Sequence, residues 1–370
     1  MESSYRHVLY GQLENLESTH PRLFALGPSD EHYPRSMASL RTCPDIYEGF
    51  PCFFYLCRGD RIAASIAALP DTGTIEGQTY PWAWMGALYT SVDSRGRGIG
   101  YRLIANVVRT MDEYGITMGG SFANAISIRI GAALGFTLVG KAPRLLLLKS
   151  ARPFLSPHLT NRFLLSVVDF PYRTVVSGLN LLSRVGNHRV SGLEVRSLDD
   201  LKEAVDRHGA AAHRRDYACH FNESWDKFLW KLSYCKGAEV FQIAERSSGT
   251  MMARFVTKSR TVSGAFAEKY TGFRLMTLMD FMVYGETDAG YDALADAIAV
   301  RFWESDADVL ESVAASPALN ARLKRKFMVH GGKGVDLIHR PPSGVTLPAA
   351  ANVVTNWHFT HFSADAFSFA

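Results

Sequence analysis

The chain has 370 residues, of which 47% are apolar and 21% charged, and it carries a formal net charge of +4. One hydrophobic core rarely serves so long a chain, so two domains are expected, and the composition excludes a disordered or fibrous protein. The mild charge, without any Lys/Arg-rich run, argues against a nucleic-acid partner.

In chain order, residues 50–69 read as two strands joined by a turn at Arg58, Gly59 and Asp60. Residues 81–92 form another apolar, aromatic-rich strand. It breaks into the run Arg95-Gly96-Arg97-Gly98-Ile99-Gly100-Tyr101. A helix over 101–114 comes next, with Leu103, Ile104, Val107, Val108 and Met111 at helical spacing and Gly115 as its stop. A strand over 116–122, a helix over 126–134 closed by Gly135, and a strand over 144–149 complete this part.

A strand that turns through glycines into a helix presents consecutive backbone N–H groups at a helix N-terminus. The dipole also favours anions there, so such a turn is a pyrophosphate cradle. A dinucleotide fingerprint needs Gly-x-Gly-x-x-Gly, but the sixth position counted from Gly96 is Tyr101. The Gly-Lys-Ser/Thr ending of a nucleoside-triphosphate loop is missing as well. An ordinary strand–turn–helix with turn glycines is the bland alternative. Arg95-x-x-Gly98-x-Gly100 after a strand, with Asn124 and the pair Gly135-Phe136 bracketing a later helix, resembles the GCN5-related N-acetyltransferase (GNAT) superfamily.

That resemblance implies an acyltransferase that moves an acyl group from acetyl-CoA or another acyl-CoA, used as co-substrate, to an amine. Arg95, Gly96, Arg97, Gly98, Ile99, Gly100 and Tyr101 would hold the phosphates. Leu88, Tyr89 and Thr90, on a strand that splays from the next one, would grip the pantetheine arm, and a backbone N–H of that strand would face the thioester oxygen. Asn124 would either touch the coenzyme or cap its helix. The family often carries a Tyr four residues before the Gly-Phe pair to protonate the leaving thiolate. Gly131 stands there in this chain, so another group gives the proton or the thiolate leaves unassisted.

Residues 151–190 change character. Pro153, Pro157 and Pro171 interrupt apolar patches, and seven Lys/Arg face one acidic residue, Asp169, between Arg144 and Arg189. A linker that packs against both domains is expected; a basic amphipathic segment on an anionic membrane surface is the alternative. Beyond it, residues 193–205 read as a strand, a cap at Asp199 and a helix. Residues 225–234 read as a helix, and 239–245 with 251–258 as a hairpin.

The stretch from residue 275 to residue 339 can be laid over the first part as one weak repeat of a whole domain. The strand 275–284 stands for the one before the glycine turn, and Gly285-Glu286-Thr287-Asp288-Ala289-Gly290 for the turn itself. The helix 291–303, the strand 308–313, a helix from Ala318 and a last strand over 335–339 complete it. Glu286 and Asp288 replace Arg95 and Arg97, and two carboxylates would repel a pyrophosphate. The expected fold is therefore α+β, with two tandem acetyltransferase-like domains, each a mostly antiparallel mixed sheet flanked by helices. Residues 1–150 would bind acyl-CoA, 151–190 would link, and 191–370 would be a degenerate copy that shapes the acceptor site.

The amine needs a base. Glu48 and His32 are possible, but the C-terminal run from Asn356 is more suggestive, with His358 and Asp365 as catalytic candidates and Trp357 and His361 as substrate contacts. A terminal strand docked on the core is its bland reading. The layout and the pattern Trp357-x-x-Thr360-x-x-x-x-Asp365 are similar to those of N-acyltransferases of nucleotide-linked amino sugars, which build bacterial surface polysaccharides. Another amine (an amino acid, a peptide N-terminus, an aminoglycoside-like compound) is the alternative, as is a non-catalytic acyl-CoA sensor. Cys43, Cys52, Cys57, Cys219 and Cys235 match neither a zinc nor a redox pattern, so no metal is expected and the compartment would be a reducing cytoplasm. The first residues lack a secretion pattern, and no run of about 20 apolar residues could span a bilayer.

Overall fold

The computed structural model describes residues 3–24, 40–44, 46–121, 125–151, 155, 167, 169–176, 178, 193–194, 217–222, 224–245, 248–262 and 272–361. Asn124, Asp365, His32, Asp199 and most of the segment 151–190 lie outside them.

The chain is a mixed α+β fold of two sheets flanked by helices. Its elements are β1 (Ser3–Leu9), β2 (Pro51–Arg58), β3 (Arg61–Ile75), β4 (Gln78–Thr90), α1 (Ile99–Glu113), β5 (Thr117–Ser121), α2 (Ala125–Ala133), β6 (Thr137–Ala142) and β7 (Arg144–Leu148). Then come β8 (Leu193–Glu194), β9 (Cys219–Phe221), α3 (Trp225–Tyr234), β10 (Ala238–Ala244), β11 (Met251–Thr261), β12 (Arg274–Val283) and α4 (Asp288–Glu304). The last are β13 (Val309–Val313), α5 (Pro317–Arg325), β14 (Val329–His330) and β15 (Val335–Arg340). Among the described residues no helix is long and apolar enough to cross a membrane.

The first sheet runs β1-β2-β3-β4-β5-β15-β6, with β9 also paired to β3; the second runs β14-β7-β13-β12-β11-β10-β8. Every pairing between two of these strands is antiparallel except one in each sheet, β4 with β5 and β12 with β13. The orders β2-β3-β4-β5-β15-β6 and β10-β11-β12-β13-β7-β14 correspond position for position. The expectation that each half keeps its own last strand is corrected here. β15 pairs with both β5 and β6 in the first sheet, and β7 pairs with both β13 and β14 in the second. The exchange is reciprocal, so each sheet is completed by a strand from the other half.

Further contacts lock the halves together. Arg340 at the end of β15 holds Asp112 of α1 through both guanidinium nitrogens, at 2.6 and 2.9 Å. From α3, Lys227 makes a buried ion pair with Asp71 of β3. Val313 and Ala315 of the second half pack into the same apolar core as Trp82, Trp84 and Leu103 of the first. On α1 the buried side chains Ile99, Leu103, Val107, Val108 and Met111 follow the helical repeat and face the sheet, which fixes where its N-terminus points.

Candidate active site

At the C-terminal end of β4 the chain turns through Ser91–Arg97 into α1. Gly96 and Gly98 both have φ +71, a conformation that costs glycine little. Gly98 is the N-cap of α1 and has no side chain to occupy the helix end. A Cβ built on Gly96 or Gly98 meets nothing within 4 Å, so the space before the turn is open. The first N–H groups of an α-helix have no partner inside the helix, and here the cap leaves them facing that space. Arg95 and Arg97 are exposed at its rim, and Arg95 Nε donates to Thr90 O at 3.1 Å, tying the turn to β4. Ile99 is buried and anchors the helix, while Tyr101 is exposed. The geometry suits a polyanion such as a pyrophosphate.

Beside the turn the sheet opens. Among the described residues, β4 pairs with β5 only at Trp82–Thr117, Ala83–Met118 and Trp84–Gly119. From Met85 to Thr90 the two strands part. This stretch holds a feature with no mark in the residue types. Tyr89 pairs with Ser65 and Gly86 with Ala67, so Ala87 and Leu88 both stand opposite Ile66. This is a β-bulge, and Ala87 at φ +53 is its unusual residue. A bulge leaves its extra residue out of the ladder with β3 and bends the strand. Leu88, 40% exposed, and the half-buried Tyr89 and Thr90 line the opening.

The second half repeats this construction and closes it. β12 pairs with β13 only from Leu275 to Leu278, then diverges. The C-terminal segment lies in that divergence. His358 Nε2 donates to Phe281 O of β12 at 3.1 Å, Thr360 Oγ1 donates to Asp280 at 3.1 Å, and Ala315 N, just past β13, donates to Phe359 O at 3.2 Å. Asp280 is also paired with Arg254, which lies over the Phe228 ring, 4.0 Å from its centroid. The second helix end is closed as well, because Thr287 Oγ1 accepts from Gly290 N at 3.0 Å. Asp288 and Asp292 both pair with Arg322.

A cavity of about 490 Å3 opens near the two helix starts of the second half, lined by Tyr217, Asp288, Tyr291, Ser316, Pro317 and Thr355. Tyr217 packs edge-on against His358, 5.2 Å between centroids. Phe359, next in the chain, faces Trp84 of β4 at 6.3 Å. The cavity and the first split thus flank the same short tail.

The tail residues take roles their sequence did not announce. Trp357 is fully buried; its Nε1 donates to Ala351 O, and its ring stacks on Phe221 at 5.2 Å and lies 5.3 Å from Trp82. His361 is fully buried, and burial first, then the charge of Arg144, lowers its pKa to about 3. His358, also buried, carries its proton on Nε2 when it donates to Phe281, which leaves Nδ1 as the basic nitrogen. Leu88 to Thr90 and Arg95 to Tyr101 come together around one opening, while Trp357 and His361 sit inside the core. Glu48 is exposed, and its carbonyl accepts from Gly11 N at 2.9 Å. Gly131 is buried with its Cβ position 3.4 Å from Phe136, close to the chain reversal that ends α2.

Residues 14–136 match the model of the acetyltransferase (GNAT) family. No protein of curated function matches the chain. Among solved structures, a GCN5-related N-acetyltransferase from Anabaena variabilis is similar over 92% of this chain and 73% of its own, at 12% identity and TM-score 0.53. A probable N-acyltransferase from Enterococcus faecalis is similar over the same shares, at 11% identity and TM-score 0.55. N-myristoyltransferase of Saccharomyces cerevisiae, solved with myristoyl-CoA, is similar over 96% of this chain and 89% of its own, at 10% identity and TM-score 0.56. The matched segment contains the open split and its glycine turn, so the likeness to the acetyltransferase (GNAT) family rests on that part of the chain, and the solved structures share its fold.

Proposed function

We propose that the split between β4 and β5 holds the acyl-CoA and that a small primary amine reaches it from the tail side. The observation that carries this reading is the bulge at Ala87 and Leu88, set in an open split beside a helix end capped only by glycine. The pyrophosphate would lie on the N–H groups of the turn, with Arg95 and Arg97 at its rim. The pantetheine would pair with the peptide groups of Leu88, Tyr89 and Thr90. The Leu88 N–H, at the bulge, would donate to the thioester oxygen as negative charge develops there. The amine nitrogen attacks the carbonyl carbon, the C–N bond forms and the C–S bond breaks. Coenzyme leaves as thiolate, and the amine's proton passes to a base. His358, through Nδ1, and Asp365 are the candidates for that base.

The acceptor we favour is a nucleotide-linked amino sugar. Its support is now the cavity, whose two tyrosines and hydroxyls suit a sugar ring and whose carboxylate, Asp288, suits the sugar's ammonium group but not the nucleotide's phosphates, which would have to lie outside it. The terminal pattern no longer supports it, because Trp357 and Thr360 are used in packing and in holding Asp280. A peptide N-terminus is the second reading, favoured by the likeness to a protein that is itself an N-myristoyltransferase.

Thiol release from acetyl-CoA, screened over amino-sugar nucleotides, free amino acids, aminoglycosides and short peptides, tests both. Release with amino-sugar nucleotides is the expected result. Release with peptides alone selects the second reading, and coenzyme binding without release under any acceptor leaves a sensor. Asp365→Ala and His358→Gln should each lower turnover, by a factor that shrinks at high pH if the lost group was the base.

A further inference from the structure

The two halves close a helix with the same turn and fill it differently. After α2, Gly135 stands at φ +82, with Gly135 N bonded to Ala132 O and Phe136 N to Gly131 O. After α5, Phe327 N bonds to Lys324 O and Met328 N to Leu323 O, at 3.0 and 3.2 Å, in the same spacing. Phe327 therefore holds glycine's place, at φ +67. A bulky L-residue takes that conformation only at a cost. Burial does not offset it. Phe327 is 47% exposed and, among the described residues, belongs to none of the apolar clusters of the second half. A costly backbone that holds an aromatic ring in water points to a use for the ring outside the fold.

Its surroundings say which use. β14 is the outer strand of the second sheet and pairs with β7, Val329 with Leu146 and His330 with Leu145. That antiparallel register carries Phe327 toward Leu148. Val329 is 57% exposed on the same edge. Two residues past Leu148, the Ser150 hydroxyl donates to Asp169 at 2.8 Å and brings the helical residues 169–176 to this end of β7. Phe170 there is 72% exposed.

Around these apolar side chains the charge is of one sign. Residues 324–333 read Lys-Arg-Lys-Phe-Met-Val-His-Gly-Gly-Lys, without a carboxylate. Lys326 is paired with Asp296. Lys324, Arg325 and Lys333 are exposed and have no ion pair among the described residues. The carboxylates at the Leu148 end are already engaged, Asp306 and Asp308 by Arg274, and Asp169 by Ser150 and Ala151. Projecting rings among such cations suit the headgroup layer of an anionic bilayer, where the rings reach the apolar boundary and the cations meet lipid anions. A protein partner would have to offer a pocket to each ring, whereas a bilayer takes both wherever they stand. Lysine is also depleted in protein–protein interfaces.

We propose that the outer edge of the second sheet, through Phe327, Val329, Phe170 and the cations Lys324, Arg325 and Lys333, docks the protein on an anionic membrane surface. This edge belongs to the second sheet and the proposed acyl-CoA split to the first, so either assignment can fail without the other.

Flotation of the full chain with vesicles of phosphatidylserine and phosphatidylcholine, against vesicles of phosphatidylcholine alone, tests this. Binding to the anionic vesicles that falls as salt rises is the expected result. Equal binding to both, or none to either, would overturn it. Lys324→Ala with Arg325→Ala should weaken the anionic binding by about 30-fold, the effect of two charges near the surface. An unchanged affinity would count against the proposal. Phe327→Gly separates the ring from the fold. It relieves the backbone, so the thermal midpoint should hold or rise, while vesicle binding falls by roughly fivefold. A lower midpoint with unchanged binding would show that the ring serves packing and would remove it from the surface. A dimer in solution that Phe327→Gly dissociates, with no vesicle binding by the unmodified chain, would give this edge to a second copy instead.

Discussion

The two halves build the same split and leave it in opposite states. In the first, β4 and β5 part beside a helix whose N-cap is Gly98, and a Cβ built on Gly96 or Gly98 would meet nothing within 4 Å. In the second, the chain's own C-terminal segment bridges the parted strands, Thr287 caps the helix, and Asp288 and Asp292 gather Arg322. On the proposed reading, two parted strands beside a helix end are not a coenzyme site by themselves. The difference lies in whether the protein has already met the hydrogen-bonding needs that a coenzyme would meet. In the second half it has, with a hydroxyl, a guanidinium and a stretch of backbone.

The largest effect should come from the segment that fills the second split. Trp357→Ala removes a fully buried indole from contact with Trp82 and Phe221, and should cost about 3–5 kcal/mol in a denaturant titration. For the same reason, deletion from Asn356 is expected to destabilise the whole core and does not isolate a catalytic role for the tail. A near-native midpoint for Trp357→Ala would mean that the segment is peripheral and the second split open.

Next is the first split. Gly98→Val places a branched side chain at φ +71 and in front of the helix end. Losing two or more charge-assisted hydrogen bonds should weaken acetyl-CoA roughly 100-fold or more by calorimetry. The wild-type titration should saturate near one coenzyme per chain. A stoichiometry of two would erase the difference between the halves.

Acid should loosen the filled split. His361 is neutral in the folded protein, with its pKa lowered from 6.5 to about 3 by burial. The unfolded chain binds a proton that the folded one refuses. Stability is therefore complete above pH 6.5 and declines by about 1.4 kcal/mol per pH unit as pH falls toward the folded value. His20 and His339, also lowered chiefly by burial, add to the same slope. His361→Phe should flatten part of it in unfolding curves from pH 7 to 4.5; an identical slope would mean that His361 is protonated, and so solvated, in the native state.

How much of this the sequence disclosed depends on range. The glycine turn, α1 and the hairpin of β10 and β11 were legible because periodicity and turn residues act locally, although α1 starts at Ile99 rather than Tyr101. The strand exchange was not. β7 and β15 are short strands, of five and six residues, and their pairing is decided by partners far away in the chain. The bulge was hidden because Ala87, unlike Gly96, carries no sign of a positive φ. Trp357 was misleading: an aromatic beside histidines suits a sugar surface and a core equally, and only the contacts with Trp82 and Phe221 separate them.

The smallest effect is the most discriminating. Thr287→Ala strips the side-chain cap from α4 and should cost about 1 kcal/mol, as cap removals do. It exposes at α4 the same unpartnered N–H groups that Gly98 leaves at α1. If an unsatisfied helix end were enough for pyrophosphate binding, this variant would gain a second coenzyme site. It should not. Asp288 still stands in the first turn, and the tail still bridges β12 and the residues after β13. The titration should therefore remain at one acetyl-CoA per chain, with a slightly lower melting temperature as the only change. A second, weak binding event in Thr287→Ala would show that the cap alone silenced the second half. Its absence would assign the silence to the carboxylates and to the segment lying in the split.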